Sequence, residues 1–118
     1  MRYLLLLHRT ADDLPAPGTP EADRLLAEYG ASVAAMAEAG VLIDCAPLSA
    51  TSSATTVRVR DGAAILTDGP AAELHEQVGG YALIECANLD EALGWAARSP
   101  AARDASVEVR PVVEVRSR

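Results

Sequence analysis

The chain contains no lysine and no phenylalanine. Every basic side chain is arginine, so no amine is available for a Schiff base or for the phosphate-gripping lysine of a P-loop. Aromatic residues are confined to Tyr3, Tyr29, Tyr81 and Trp95. The core must therefore come from Leu, Val, Ile and Ala, which bury less area each, and a core this thin gains from a partner subunit. Cys45 and Cys86 stand far apart with no CxxC spacing. They read as reduced, buried thiols of a cytoplasmic protein, with a disulfide or a reactive thiol as the alternatives. No apolar run approaches the roughly 18 residues of a membrane span. Leu4 to Leu7 is too short for a signal peptide and is followed at once by His8-Arg9. GxSxG is absent, which removes the usual serine-nucleophile turn. HxxxH and similar ligand spacings are absent too, so neither a metal nor another cofactor is expected.

A chain of 118 residues with net charge −7 fits one domain, residues 1–118. An acidic balance argues against nucleic acid and against an anionic membrane surface, both of which require a basic face. Half the residues are hydrophobic, enough for a core.

The hydrophobic pattern gives an ordered set of elements. Tyr3 to Leu7 reads as a central strand, buried on both faces. Thr10 to Gly18 is a loop. Thr19 caps a helix with Pro20 at its first position and Leu25, Leu26, Tyr29, Val33 and Met36 as its apolar stripe; Gly40 ends it. Val41 to Ile43 is a short strand and Pro47 to Ala54 a connector. Thr55 to Arg60 and Ala63 to Thr67 form a hairpin about Asp61-Gly62. Its Val57, Val59, Ala64 and Leu66 face is expected to be buried. Asp68-Gly69-Pro70 turns the chain, and Ala71 to Gln77 is expected to make one or two helical turns. Gly79-Gly80 then acts as a hinge into a second central strand, Tyr81 to Cys86.

Asn88 caps the second helix, with Glu91 completing a capping box and Leu89, Ala92, Leu93 and Ala96 facing inward. Pro100 ends that helix. Ser106 to Val115 is the last strand, with Pro111 marking an edge or bulge. The tail Arg116 to Arg118 is expected to fray. With the hairpin as an elaboration, the order is βαββαβ, an α+β ferredoxin-like pattern. We expect its first strand and the Tyr81 strand to be parallel neighbours. The uncovered sheet face calls for a second copy, a homodimer.

These residues resemble a known family. The carrying stretches are Leu4-Leu5-Leu6, Thr56 to Gly62, Thr67-Asp68-Gly69-Pro70, Glu76 to Ile84, Asp90 to Arg98 and Val107 to Val112. Together they are similar to the YCII-related proteins, in the branch named after its Asp-Gly-Pro-Phe (DGPF) motif. The resemblance implies a dimeric α+β barrel built from two ferredoxin-like subunits. It also implies genes often placed beside extracytoplasmic-function sigma factors. A related dehydrochlorinase acts on a chlorinated hydroxyquinol, with a His–Asp dyad proposed for catalysis. The family Phe is Ala71 here. The dyad positions fall on Tyr29 and near Ser99, so that mechanism does not carry over.

The remaining candidates are read from residue type and position. His8, at a strand end beside Glu85 under the parallel arrangement, is a candidate general base; the alternative is a polar strand terminus. Asp68 is a candidate carboxylate at a pocket mouth, or the residue that fixes its turn through local hydrogen bonds. Arg58 and Arg110 are candidate forks for a small anion, or solvated and interface charges. Tyr29 and Tyr81 are candidate ligand contacts in a pocket between sheet and helices. His75 lies between acidic residues without ligand spacing. Trp95 reads as packing at a domain or dimer seam. Two functions follow: a non-catalytic small-molecule-binding or regulatory module linked to sigma-factor signalling, or a cofactor-independent lyase or isomerase using a His–carboxylate pair.

Overall fold

The computed structural model describes residues 1–10 and 14–115. The frayed tail expected at Arg116 to Arg118 and the middle of the first loop lie outside the described residues. The elements are β1 (Arg2–Thr10), α1 (Pro20–Glu38), β2 (Leu42–Pro47), β3 (Thr55–Arg60), β4 (Ala63–Asp68), β5 (Glu76–Glu85), α2 (Leu89–Ala97), α3 (Pro100–Asp104) and β6 (Val107–Pro111). A four-stranded sheet runs β2-β5-β1-β6, and β3 pairs with β4 in a separate two-stranded sheet. The fold is mixed α+β and ferredoxin-like, with the hairpin inserted between β2 and β5.

One expectation is corrected by the strand pairing. β1 and β5 are neighbours but run antiparallel, with Arg2 opposite Glu85 and His8 opposite Val78. Each βα connection returns the chain to the sheet in its starting direction. The strand that enters between β1 and β2 therefore opposes both.

Alternation along β1 decides which residues are inside. Tyr3 and Leu5 are buried against the helices, whereas Leu4 and Leu6 are half-buried on the other face. The apolar run is thus not buried equally on both sides. Tyr3, Leu5, Ile84, Met36, Val41 and Cys86 form one core cluster with the small residues Ala82, Ala92 and Ala96. α2 contributes its alanines to this core, while Leu89 and Leu93 of the expected inner face stay exposed. Leu26 of the expected α1 stripe is exposed as well.

The helix ends follow local chemistry. Thr19 Oγ1 accepts the Ala22 N–H at 3.2 Å, and Glu21 and Asp23 sit in the positive first turn of α1. At the other end Gly40 adopts φ +76°. Gly40 N–H then reaches Ala37 O, and Val41 N–H reaches Met36 O at 3.1 Å. This is a Schellman closure, and both Val41 and Met36 are buried. Asn88 Oδ1 accepts the Glu91 N–H at 3.0 Å, and Glu91 reaches back one residue further than a capping box, to Ala87 N–H. Pro100 does not merely stop α2. It opens α3, where Ser99 Oγ accepts the Ala101 N–H.

The hairpin has the expected register, with Val57 opposite Leu66 and Val59 opposite Ala64. Asp61 and Gly62 both have positive φ, as a type I′ turn requires. Its apolar face is not buried: Val57 is 60% and Leu66 68% exposed. As a separate sheet it has no layer of the described residues packed on it. Residues 71–75 form no helix. Gln77 Nε2 instead donates to the carbonyls of Ala72 and Leu74, and β5 has begun by Glu76. Gly79-Gly80 lies inside β5, at a β-bulge opposite Leu7 and His8, rather than at a hinge before it.

Asn88→Ala tests the capping argument. Losing the side-chain acceptor is expected to cost about 1 kcal/mol. It should lower the urea midpoint with the m-value unchanged.

Candidate functional site

Small residues create a space between α1 and the sheet. Gly80, Ala82 and Ala46 lie on the strands and Ala22 and Gly30 on the helix, where larger side chains would meet. A cleft of about 620 Å³ results. Leu5 and Leu7 line the sheet side, and Leu25, Tyr29 and Val33 the helix side. Trp95 lines it too, and the Arg98 guanidinium stacks 4.7 Å from its ring centroid. A mostly apolar concavity of this size with a few polar groups suits a small organic ligand.

The polar residues that line it include His8, Arg9, Tyr29, Ser32, Tyr81 and Ser99. Arg9 is placed by the bulge. A Cβ at position 79 would sit 2.6 Å from Arg9 Cδ, so only glycine lets the arginine stem lie across β5. Arg9 Nη2 donates to Leu48 O at 3.2 Å. Burial pushes the Tyr29 pKa up, Asp104 adds to that, and Arg9 and Arg103 oppose it. Tyr29 therefore stays a protonated phenol, able to donate. Ser99 is buried and its hydroxyl already accepts from Ala101.

Beside the cleft mouth, Arg103 grips Asp104 through two nitrogens at 2.7 and 2.9 Å and Glu28 through a third at 2.7 Å. The hydrogen bonds from Arg103 hold the Asp104 carboxyl below its ordinary pKa. These paired charges line a shallow depression together with Glu21 and Arg24.

The antiparallel register separates the expected catalytic pair. Glu85 lies opposite Arg2, six positions along β1 from His8, which is about 20 Å at strand spacing. Glu85 approaches Arg2 Nε at 3.9 Å. The carboxylate near His8 is Glu108, with Oε1 3.9 Å from Nε2, beyond hydrogen-bond reach. Asp68 ends β4 on the hairpin and is exposed. Its turn is held by other groups: Gly69 N–H donates to Ala54 O at 2.7 Å, and Thr56 Oγ1 donates to Gly69 O at 2.8 Å.

Arg58 also stays on the hairpin, donating to Ala71 O at 3.4 Å. Arg110 lies on β6, 3.6 Å from Glu108. Tyr81 borders the cleft but stands opposite Leu6, so its side chain lies on the other sheet face; its hydroxyl donates to Asp44 Oδ2 at 2.8 Å, and that bond pushes its pKa up. Of the expected residues, the fold thus places the Tyr29 side chain in the cleft, brings His8 and Tyr81 to its border with their side chains on the other sheet face, and leaves Glu85, Asp68, Arg58 and Arg110 elsewhere.

Sequence reasoning missed Arg9. It follows an apolar run like any strand-end charge, and only its contact with Gly79, seventy residues on, marks it. Cys45 also lines the cleft as a free thiol. Cys86 is buried in the core, and desolvation pushes its pKa up, which keeps it protonated and unreactive. Among the described residues no cluster of three or more His, Cys, Asp or Glu is arranged to hold a metal ion. No described helix is long and apolar enough to cross a membrane.

The YCII-related domain family matches residues 1–116. The chain belongs to the YCII-related family. Its sequence is also 38% identical over 114 residues to an uncharacterized protein of Rhizobium meliloti (strain 1021), a match covering 95% of this chain and 92% of that one. Within this YCII-related fold, Tyr29 and Ser99 both line the same cleft.

The nearness of Arg9 to Tyr29 has a measurable sign. Removing a cation that favours the phenolate raises a phenol pKa. Arg9→Gln is expected to shift the Tyr29 titration, followed by tyrosine Cζ NMR, further above the ordinary phenol range.

Proposed function

We propose that this YCII-related protein is a non-catalytic small-molecule-binding module of the DGPF branch, acting as a cytoplasmic homodimer. The observation that carries the reading is the cleft of about 620 Å³, apolar over most of its lining, with Tyr29 and Ser99 in it, at and near the places where the resemblance would put the dyad. A protonated phenol and a hydroxyl engaged in capping α3 bind and position a ligand but supply no general base at neutral pH. The His8–Glu85 pair that an enzyme reading needs is not assembled in this register. The regulatory setting implied by the family, beside sigma factors, suits a module whose ligand occupancy alters its contacts. Free Cys45 and Cys86 suit a reducing compartment.

The dimer rests on shape and surface. The chain measures 48 × 47 × 19 Å with a radius of gyration of 16.3 Å. A single domain of this length is expected near 13.5 Å. Its accessible surface is 8147 Å². A monomer of this mass exposes about 6,100 Å², so the excess is larger than the roughly 800 Å² that a subunit gives to a standard interface. Leu4, Leu6 and Leu83 form an apolar strip on the sheet face that no helix covers, flanked by the Tyr81–Asp44 hydrogen bond and by Glu108 with Arg110.

Two measurements test these readings. The neutral fluorophore N-phenyl-1-naphthylamine is expected to bind the wild-type protein with a rise in emission. Gly30→Phe should abolish that rise. No atom lies within 4 Å of a Cβ added there, and replacing a helical glycine strengthens α1, so the loss would not come from unfolding. Binding that survives Gly30→Phe would remove the cleft from the proposal. Light scattering at micromolar concentration should give twice the chain mass, and Leu6→Glu should halve it; a monomeric wild type ends the dimer reading.

A further inference from the structure

We propose that the cleft is selective for a largely apolar ligand bearing one anionic group, a carboxylate or sulfonate, which Arg9 anchors. The inference rests on the cleft being a ligand site and adds the ligand's charge class and the residue that recognises it.

The charge of the lining carries the argument. The protein has net charge −7, yet no carboxylate lines the cleft among the described residues. The charged side chain in that lining is Arg9; the His8 imidazole, 3.9 Å from Glu108, follows Leu6 on the other sheet face. Arg9 is half-buried; among the described residues it makes no ion pair, and its one hydrogen bond is the Nη2 donation to the Leu48 carbonyl. A guanidinium presents five N–H donors in a planar fork, so the remaining donors match a carboxylate or sulfonate edge. Other arginines here show the contrast. Arg103 spends its fork on Asp104 and Glu28, and Arg110 lies against Glu108.

The position of Arg9 is built rather than incidental. The bulge opposite Leu7 and His8 offsets β5 by one residue, and the bare Cα of Gly79 leaves the groove in which the arginine stem lies. The Leu48 carbonyl orients the head. Tyr29 supplies a second donor to the same lining, and Arg9 is among the charges that lower its phenol pKa. An apolar body then fills the space between Leu5, Leu7, Leu25 and Val33 while the anion meets the arginine. That arrangement compensates a partly desolvated cation that otherwise has no counter-ion among the described residues.

A matched pair of probes tests this. 1-Anilinonaphthalene-8-sulfonate and N-phenyl-1-naphthylamine share one skeleton and differ by the sulfonate. Arg9→Gln is expected to weaken the sulfonate probe at least tenfold and to change the neutral probe less than twofold, the neutral probe serving as the check on folding. Gly79→Ala, which unseats the arginine while keeping its charge, should give the same selective loss. An unchanged sulfonate affinity in Arg9→Gln would overturn the anchor and leave the cleft reading standing. Equal weakening of both probes would make Arg9 a shape element and overturn the anchor too. A selective loss in His8→Gln instead would move the anchor to the imidazole and overturn the assignment. Failure of both probes on the wild type would overturn the cleft reading and this inference together.

Discussion

The antiparallel pairing of β1 with β5 is the constraint on which the rest of the molecule depends. These are the two inner strands of the sheet, and their register decides which side chains meet the helices. Tyr3 and Leu5 face inward with Ala82 and Ile84 because the pleat alternates and the register holds them opposite one another. A slip by one residue would turn Leu4, Leu6 and Leu83 inward and strand the buried set in water. The same pairing sends the His8 end of β1 to the start of β5. Polar groups collected there come from Arg9 and the glycine bulge, and Glu85 is carried to the opposite edge.

The cleft is the consequence of small residues placed where helix and sheet face each other. Interiors close up to crystal-like density when side chain volumes match the space available. Here Gly80, Ala82, Ala46, Ala22 and Gly30 leave part of that space unfilled, and the chain has no phenylalanine to occupy it. Below the cleft, Met36, Tyr3 and Ile84 close the core completely. The cleft and the closed core thus lie in adjoining parts of one layer. The glycine pair in β5 belongs to both: Gly80 lets the backbone of Ala46 approach, and Gly79 makes room for the arginine.

The hairpin is the part of the chain that the monomer does not use. β3 and β4 pair well with each other and carry Val57, Val59 and Leu66 into solvent. A two-stranded sheet is marginal by itself in water, so an apolar face of this kind is a cost unless another surface covers it. The Asp68-Gly69-Pro70 turn belongs to this arm. Its work is to return the chain toward β5, with Thr56 and Ala54 holding Gly69 in place.

Local chemistry made much of the fold legible in the sequence. Thr19, Pro20 and Gly40 delimit α1, Asn88 starts α2, and Asp61-Gly62 turns the hairpin, because each acts on backbone groups within a few residues. The element order and the family follow from the same signals. Strand direction, the exposure of the hairpin face and the make-up of the cleft were not legible in that way. They depend on pairs such as His8 with Val78 and Arg9 with Gly79, separated by about seventy positions and joined only when the sheet forms. Sequence by itself therefore determined where helices and turns begin and end. Tertiary structure decided which charges share a cavity, because long-range register sets which side chains become neighbours, and no local rule encodes it.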